Sequence, residues 1–314
     1  MVIPYARQSI SEQDLNAVAE VLQSDYLTQG PVVPAFEDAV AHLVGAKYAV
    51  AGNSATSMLH VANLALGVTA GDLVWTSPIS FVASANCALY CGAEIDFVDI
   101  DSETFNMSPV ALAAKLELAK KSNRLPKVII PVHMGGQSCD MQAIGSLAQQ
   151  YGIKVIEDAS HAIGGTYNSQ RIGNCAHSDI TIFSFHPVKI ITTGEGGMAV
   201  TQDEGLAHSM RMLRSHGITR DATEFEFGND GPWYYEQQEL GFNYRLTDIA
   251  AALGLSQLQR IDSFIHQRNS IASRYNEAFA STLVVTPHIA SKTISAFHLY
   301  IARCDFENLN VTRV

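Results

Sequence analysis

The sequence predicts an α/β protein. A large domain with a mostly parallel sheet flanked by helices is expected over residues 1–255, and the start of a smaller α+β domain over 256–314. Two observations carry this. Short apolar runs of strand length recur along the chain, and stretches of helical periodicity separate them, the pattern of βαβ units. The 314 residues are 47% hydrophobic and 16% charged, enough to bury one large core and part of another.

The elements follow in order. Ser11 is a candidate N-cap, with Asp14 three residues on and an amphipathic run through Leu22. Helical patterns follow at about 34–44, 55–67, 80–90, 108–121 and 140–151. Between them lie the strand candidates YAVA (48–51), LVWTS (73–77), IDFVDI (95–100), KVIIPVH (127–133), KVIED (154–158) and ITIFSF (180–185). GGMAVT (196–201) reads as one more strand, antiparallel at an edge. Helices return over about 203–215 and 245–280. LVVTPH (283–288) and SAFHLYIARC (295–304) open a new α+β pattern that stops at NVTRV without a closing helix, so the second domain is expected to be cut short.

Composition excludes several classes. The chain carries 31 acidic and 20 basic side chains, a formal charge of −11, and no Lys/Arg cluster, which argues against general nucleic-acid binding. No apolar run approaches a membrane span. The start, MVIPYARQSI, lacks the basic-then-apolar pattern of a secretory signal, and a cytoplasmic protein is expected. Cys87, Cys91, Cys139, Cys175 and Cys304 are read as buried reduced thiols. Their spacing does not suit zinc, and no metal is expected.

The chemistry gathers in three stretches. In FSFHPVKIITTGEGG (183–197), Lys189 sits among Val188, Ile190 and Ile191, ahead of a glycine-rich loop. A lysine there suits an amine whose pKa is lowered by desolvation, a nucleophile toward carbonyls. In VAGNSATSMLHVANLAL (50–66), a strand runs into Gly52-Asn53-Ser54 and a helix begins near Ala55. The free N–H groups of Ala55 and Thr56, with the hydroxyls of Ser54, Thr56 and Ser57, form either an anion site or an ordinary capped helix. It is not a Walker motif. In KVIEDASHAIGG (154–165), Asp158 ends an apolar strand, where ligands of parallel sheets bind; a turn cap is the other reading. Phosphate donors, a carboxylate and a buried lysine are what pyridoxal phosphate requires. A Rossmann dehydrogenase fits poorly, because no GxGxxG opens a first helix.

These stretches, together with DYLTQGPVVPAFE (25–37), TSPISFVASANCALYCGA (76–93), PVHMGGQSCDM (131–141) and ELGFNYRLTDIAAALG (239–254), resemble the DegT/DnrJ/EryC1/StrS family of pyridoxal-phosphate sugar aminotransferases. They cover nearly all of residues 1–270, in order. The resemblance implies the fold-type I aminotransferase architecture and an obligate homodimer with two shared sites. HPVKIITTGEGG and EQQELGFNYRLTDI are most similar to the branch that serves pseudaminic acid biosynthesis. That branch transfers the amine of L-glutamate, leaving 2-oxoglutarate, to the 4-keto carbon of a UDP-linked 2-acetamido-2,6-dideoxy-hexos-4-ulose.

The resemblance also assigns roles. Lys189 matches the lysine that links to the cofactor and shuttles the proton, and Asp158 the partner of its ring nitrogen. His161 falls near the phenolic oxygen. Phe81 matches a ring that stacks on the cofactor, or is a core phenylalanine. Ser54, Ala55, Thr56 and Ser184 match phosphate contacts, and Asn243 one that reaches in from the other subunit. Tyr5, His186 and Arg245 are candidate substrate contacts, each with a structural alternative, and His133 is expected to end a strand and support the site. Members that dehydrate carry His at the lysine position, so Lys189 implies transamination. Two departures stand out: Ile190 where a Pro is expected, and a chain several tens of residues shorter than the family's, lacking what completes the small domain. The rival readings are an aminotransferase for another nucleotide sugar, of the 4-amino-arabinose or perosamine kind, and a cofactor-binding relative without turnover.

Overall fold

The computed structural model describes residues 6–228, 230–309 and 312. Helices α1 (Glu12–Leu22), α2 (Val32–Val44), α3 (Ala55–Ala65), α4 (Ala83–Tyr90), α5 (Pro109–Lys121), α6 (Met141–Tyr151), α7 (Glu204–Arg214), α8 (Asp248–Leu258) and α9 (Ile261–Phe279) accompany a seven-stranded sheet. Its strands are β1 (Tyr48–Gly52), β2 (Leu73–Thr76), β3 (Glu94–Phe97), β4 (Val128–Ile130), β5 (Lys154–Asp158), β6 (Ile180–Ser184) and β7 (Gly197–Thr201). The spatial order is β1-β7-β6-β5-β4-β2-β3. β3, β2, β4, β5 and β6 pair in parallel, while β7 runs antiparallel to both β6 and β1.

Period-two burial sends alternate residues to opposite faces of the sheet. Val50, Ile130, Ile156, Ile180, Ile182 and Ala199 face α3, α4 and α7. On the other face Ala49, Ala51, Phe183, Met198 and Val200 pack against α2 and α8, and Trp75, Ile129 and Val155 against α5 and α6. Both faces are covered, which is why these strands read as continuous apolar runs.

Three expectations are corrected. β7 is antiparallel but not at an edge: all five of its residues are buried, and β1 covers it from Tyr48↔Thr201 to Gly52↔Gly197. The helix expected over 245–280 is two helices. Residues 245–247 are extended, with Arg245 and Thr247 bridging Gly52 and Thr28. The chain then breaks between α8 and α9, where Arg260 leaves the helix to bond Asp14 Oδ2 at 2.5 Å. Asp14 and Ser11 do form the expected capping box on α1, and the same carboxylate accepts from Ser256 and Gln257, so the cap also docks α1 onto α8.

SAFHLYIARC is the third correction. Only Arg303–Cys304 forms a strand, paired with Val284–Val285. Its first part lies instead on the turn after β4, with Ala296 N–H donating to Gly136 O (2.9 Å) and Leu299 N–H to Gly135 O (3.2 Å). Gly136, at φ +108°, permits this approach, since a Cβ there would lie 2.8 Å from Phe297 N. The thiols also differ in part from expectation: Cys87, Cys139 and Cys175 are buried, Cys91 is half-buried, and Cys304 is exposed on its short strand.

Candidate active site

Parallel strands deliver their carboxyl ends to one edge of the sheet. Gly52, Thr76, Ile130, Asp158 and Ser184 end β1, β2, β4, β5 and β6 there. A cavity of about 440 Å³ opens at that edge, and its walls include Ser54, Ala55, Thr56, Phe81, Asp158, His161, Ser184, His186 and Lys189.

The first wall is the start of α3. Ser54 Oγ accepts from Ser57 N–H at 3.1 Å, and Ser57 Oγ donates to Asn53 Oδ1 at 2.6 Å. Capping thus consumes one first-turn donor and leaves the N–H groups of Ala55 and Thr56 facing the cavity with the positive end of the helix dipole. The stretch is a capped helix whose start lines the cavity.

The floor is Asp158, 4% exposed. Ser84 Oγ donates to its Oδ2 at 2.6 Å, and Ser160 N–H to its Oδ1 at 3.1 Å. Ser80 Oγ lies 2.5 Å from Ser84 Oγ, extending the chain of hydroxyls back to the cavity wall. Ser84 went unnoticed in the sequence. Its one signal is the four-residue spacing from Ser80 across the start of α4, and only the packing of α4 on the sheet aims it at Asp158.

The lysine is carried by the loop joining β6 to β7. Phe185 N–H donates to Gly196 O (2.9 Å) and Thr193 N–H to Phe185 O (3.0 Å), closing the loop on itself. Thr192 Oγ1 donates to Phe185 O at 2.8 Å and accepts from Gly194 N–H at 2.9 Å. Ile190 and Ile191 anchor in the core, which turns Lys189 toward the cavity. Burial pushes the Lys189 amine below its ordinary value, and the Asp158 carboxylate pulls it partly back. Burial, with the charge of Lys189 adding, holds His161 down at about 3, so its ring is neutral. His161 packs 4.4 Å from His298, centroid to centroid, and its Nδ1 is buried without a partner.

His133 lies just past β4 and is fully buried. Cys139 N–H donates to its Nδ1 at 3.2 Å, so Nε2 carries the hydrogen and donates to Glu157 at 2.7 Å. Ser178 and Thr181 also donate to Glu157. The carboxyl is held low by these donors although burial acts against it. His133 does not end a strand as expected, since β4 stops at Ile130; it braces β5 through Glu157.

The remaining candidates divide between the cavity wall and other places. His186 is on the cavity wall, 3.9 Å from Glu195. Phe81 is there too, 71% exposed, so it is a wall residue and not a core phenylalanine. Asn243 is exposed; its carbonyl lies 3.5 Å from Asn53 Nδ2, and neither it nor Arg245 lines the cavity of its own chain. Tyr5 lies outside the described residues. Among the described residues there is no group of three or more His, Cys, Asp or Glu able to hold a metal, and no helix long and apolar enough to cross a membrane.

The residues present fit pyridoxal phosphate. The cavity holds an amine and a carboxylate that act on each other at a distance without an ion pair between them, and the first turn of α3. A dianionic phosphate suits the start of α3, a protonated ring nitrogen suits Asp158, and an aldehyde suits Lys189.

Comparison with known proteins agrees. The profile described as the DegT/DnrJ/EryC1/StrS aminotransferase family matches residues 8–314. The chain is 42% identical over 312 residues to the Bacillus subtilis (strain 168) spore coat polysaccharide biosynthesis protein SpsC, covering 99% of this chain and 78% of that one. It is 39% identical over 300 residues to a Campylobacter jejuni UDP-4-amino-4,6-dideoxy-N-acetyl-beta-L-altrosamine transaminase, covering 95% and 76%. Two solved structures superpose closely. One is Helicobacter pylori PseC, an aminotransferase involved in the biosynthesis of pseudoaminic acid (TM-score 0.87, 31% identity, 99% and 80% covered). The other is the Streptococcus pneumoniae putative sugar aminotransferase Spr1654 in its PLP form (0.86, 29%, 97% and 79%).

Proposed function

The chain belongs to the DegT/DnrJ/EryC1/StrS aminotransferase family and is a pyridoxal-phosphate-dependent sugar aminotransferase; from that premise we propose its reaction as transfer of the L-glutamate amine to the 4-keto carbon of a UDP-linked 2-acetamido-2,6-dideoxy-hexos-4-ulose, for pseudaminic acid biosynthesis. The observation that supports this reading best is the convergence of Lys189, Asp158 and the start of α3 on one cavity. The relatives named for UDP-altrosamine transamination and pseudoaminic acid biosynthesis support the choice of sugar.

When bound, pyridoxal phosphate supplies a carbonyl carbon that bonds amines and a ring that takes up carbanion charge. The chain supplies the rest. The N–H groups of Ala55 and Thr56, with the Ser54 and Ser184 hydroxyls, would bind the phosphate. Asp158, fixed by Ser84 and Ser160, would hold a proton on the ring nitrogen. Phe81 would cover the ring, and neutral His161 would serve the phenolic side. Lys189 Nζ, lowered by burial, would be the group that bonds the cofactor and, when free, the base that takes the proton from the donor's α-carbon and returns one to the sugar carbon. His186 is the sugar-nucleotide contact on this wall; Arg245 and Tyr5 are the other candidates.

We also read the enzyme as a cytoplasmic homodimer. Asn243 is exposed beside Asn53 yet outside its own chain's cavity, as expected of a residue that completes the second copy's phosphate site. The similarity to SpsC, a spore coat polysaccharide protein, keeps a second reading open, that the keto sugar is a different nucleotide-linked one.

Absorbance tests the assignment. Adding pyridoxal phosphate to the protein should raise a visible band that L-glutamate discharges. Lys189→Ala should lose that response and all turnover while retaining some cofactor through the phosphate contacts. Turnover in Lys189→Ala would overturn the mechanism, and a panel of UDP-, dTDP- and GDP-linked keto sugars separates the two sugar readings.

A further inference from the structure

His298 is half-buried on the stretch after α9 and takes no part in the transfer steps. Its ring packs on that of His161, 4.4 Å between centroids and tilted by 41°. His161 is on the wall of the active-site cavity, and His298 is not. Nδ1 of each ring is buried without a partner. A buried polar atom left unbonded is destabilising, so two of them on touching rings mark an arrangement that stability alone does not favour. With Nδ1 sealed, Nε2 is the nitrogen of His161 that can reach a ligand in the cavity.

The backbone around His298 is fixed from several sides. Phe297, just before it, takes a left-handed conformation at φ +43°, which bulky side chains rarely adopt. Ser295 Oγ accepts from Phe297 N–H at 3.0 Å, and Arg268 Nη1 donates to Phe297 O at 2.9 Å. On the other side Leu299 N–H donates to Gly135 O. A Cβ on Gly136 would lie 2.9 Å from His161 O and 3.1 Å from His298 N, so the backbones that carry the two rings meet at one glycine. Strain held in place beside a reactive cavity points to a task at that cavity.

We propose that His298 is a positioning residue for His161: its ring closes over the His161 ring, keeps water from Nδ1 and leaves Nε2 to meet the cofactor's phenolic oxygen. The proposal rests on the transaminase reading. A phenolate only accepts hydrogen bonds, so His161 must donate from Nε2, which leaves Nδ1 a bare lone pair. A proton that reached Nδ1 would make the ring a cation beside that oxygen. The titratable and charged groups facing the two rings are Lys189 and His186 on the lysine loop, His133 past β4 and Arg268 on α9, and Asp158 and Glu195 share the cavity wall. Burial and Lys189 hold His161 low; the cover is what keeps that burial in place.

The test follows the His161 ring by NMR across pH in cofactor-free protein with labelled histidines, its signals assigned through His161→Gln. The parent is compared with His298→Ala and His298→Phe. In the parent, and in His298→Phe, which keeps a flat cover, His161 should show no midpoint above about pH 5. In His298→Ala water reaches the ring, and a midpoint should appear between about 5 and 6.5. The visible band of the loaded protein should gain a pH step in the same range in His298→Ala alone. A purely structural role would lower thermal stability and add no such step. A parent His161 that titrates near its ordinary value, a silent His161 in His298→Ala, or equal titration in both variants overturns the role of His298 and leaves the transaminase reading standing. The parent measurement needs no variant, so it decides even where His298→Ala does not fold. A parent that raises no visible band with pyridoxal phosphate overturns that reading and the role of His298 with it.

Discussion

Lys189 and Asp158 oppose one another in one measurable quantity. Burial lowers the amine's pKa and Asp158 raises it, and only the neutral amine attacks a carbonyl. The rate at which added pyridoxal phosphate develops its band should therefore climb with pH, with a midpoint below the ordinary lysine value of about 10.4. Asp158→Asn removes the opposing charge, so its midpoint should fall further still. A midpoint that stays put would show that the carboxylate does not act on this amine. These two residues were legible in the sequence because each breaks a local rule: a lysine among isoleucines, and an acid closing a buried strand. Ser84 breaks none, since a serine in a helix near a turn is ordinary, and its role exists only in three dimensions. Asn243 was legible by resemblance alone; nothing in its own chain's cavity calls for it.

At the scale of elements, β7 sets how the α3 end of the cavity is built. A Cβ on Gly197 would sit 2.3 Å from Ala55 N and 2.5 Å from Ser54 C, so strand and helix start touch backbone to backbone. Gly197→Ala must push α3 outward, at a cost of about 1–3 kcal/mol. Its affinity for pyridoxal phosphate, measured by titration, should drop by about tenfold or more. Behind β5, Glu157 gives a second prediction. Its carboxyl is lowered in the folded state, so the stability it contributes is complete above the ordinary carboxylate range and is lost as pH falls through its folded value. Glu157→Gln should cost about 3 kcal/mol in urea unfolding at neutral pH and flatten the loss of stability on acidification. The parallel strands were legible because both faces are covered. The position of β7 was not, because a buried antiparallel strand and an edge strand read alike until a partner is found for the second side. The break at Arg260 was hidden for a similar reason, as its cause, Asp14, is far away in sequence.

For the whole molecule, the proposed shared-site homodimer makes a prediction about mixtures. If Asn243 serves the other copy's phosphate, Lys189→Ala and Asn243→Asp are each inactive alone, but a mixed dimer holds one site with both residues intact. Refolding the two variants together should restore roughly a quarter of parental activity, because half of randomly paired dimers are mixed and each has one working site. No recovery from two inactive variants would place Asn243 within its own chain's site, and an active Asn243→Asp would place it outside the machinery. The region beyond α9 was the least legible part. SAFHLYIARC has the composition of a strand, yet Ser295–Leu299 spends its backbone bonds on a glycine turn instead, a choice set by the space that Gly136 leaves open.

The self-closed loop between β6 and β7 has one more consequence. Phe185 and Thr193, whose amides pin its two ends, are buried where the loop leaves two strands that are paired on both sides. Neither amide can meet solvent through local fraying; the middle of the sheet must open first. Their deuterium uptake should therefore be as slow as the slowest in the protein, even before cofactor is added. The enzyme would keep its reactive amine in place on the timescale of global unfolding, and the empty and loaded proteins should show the same protection there.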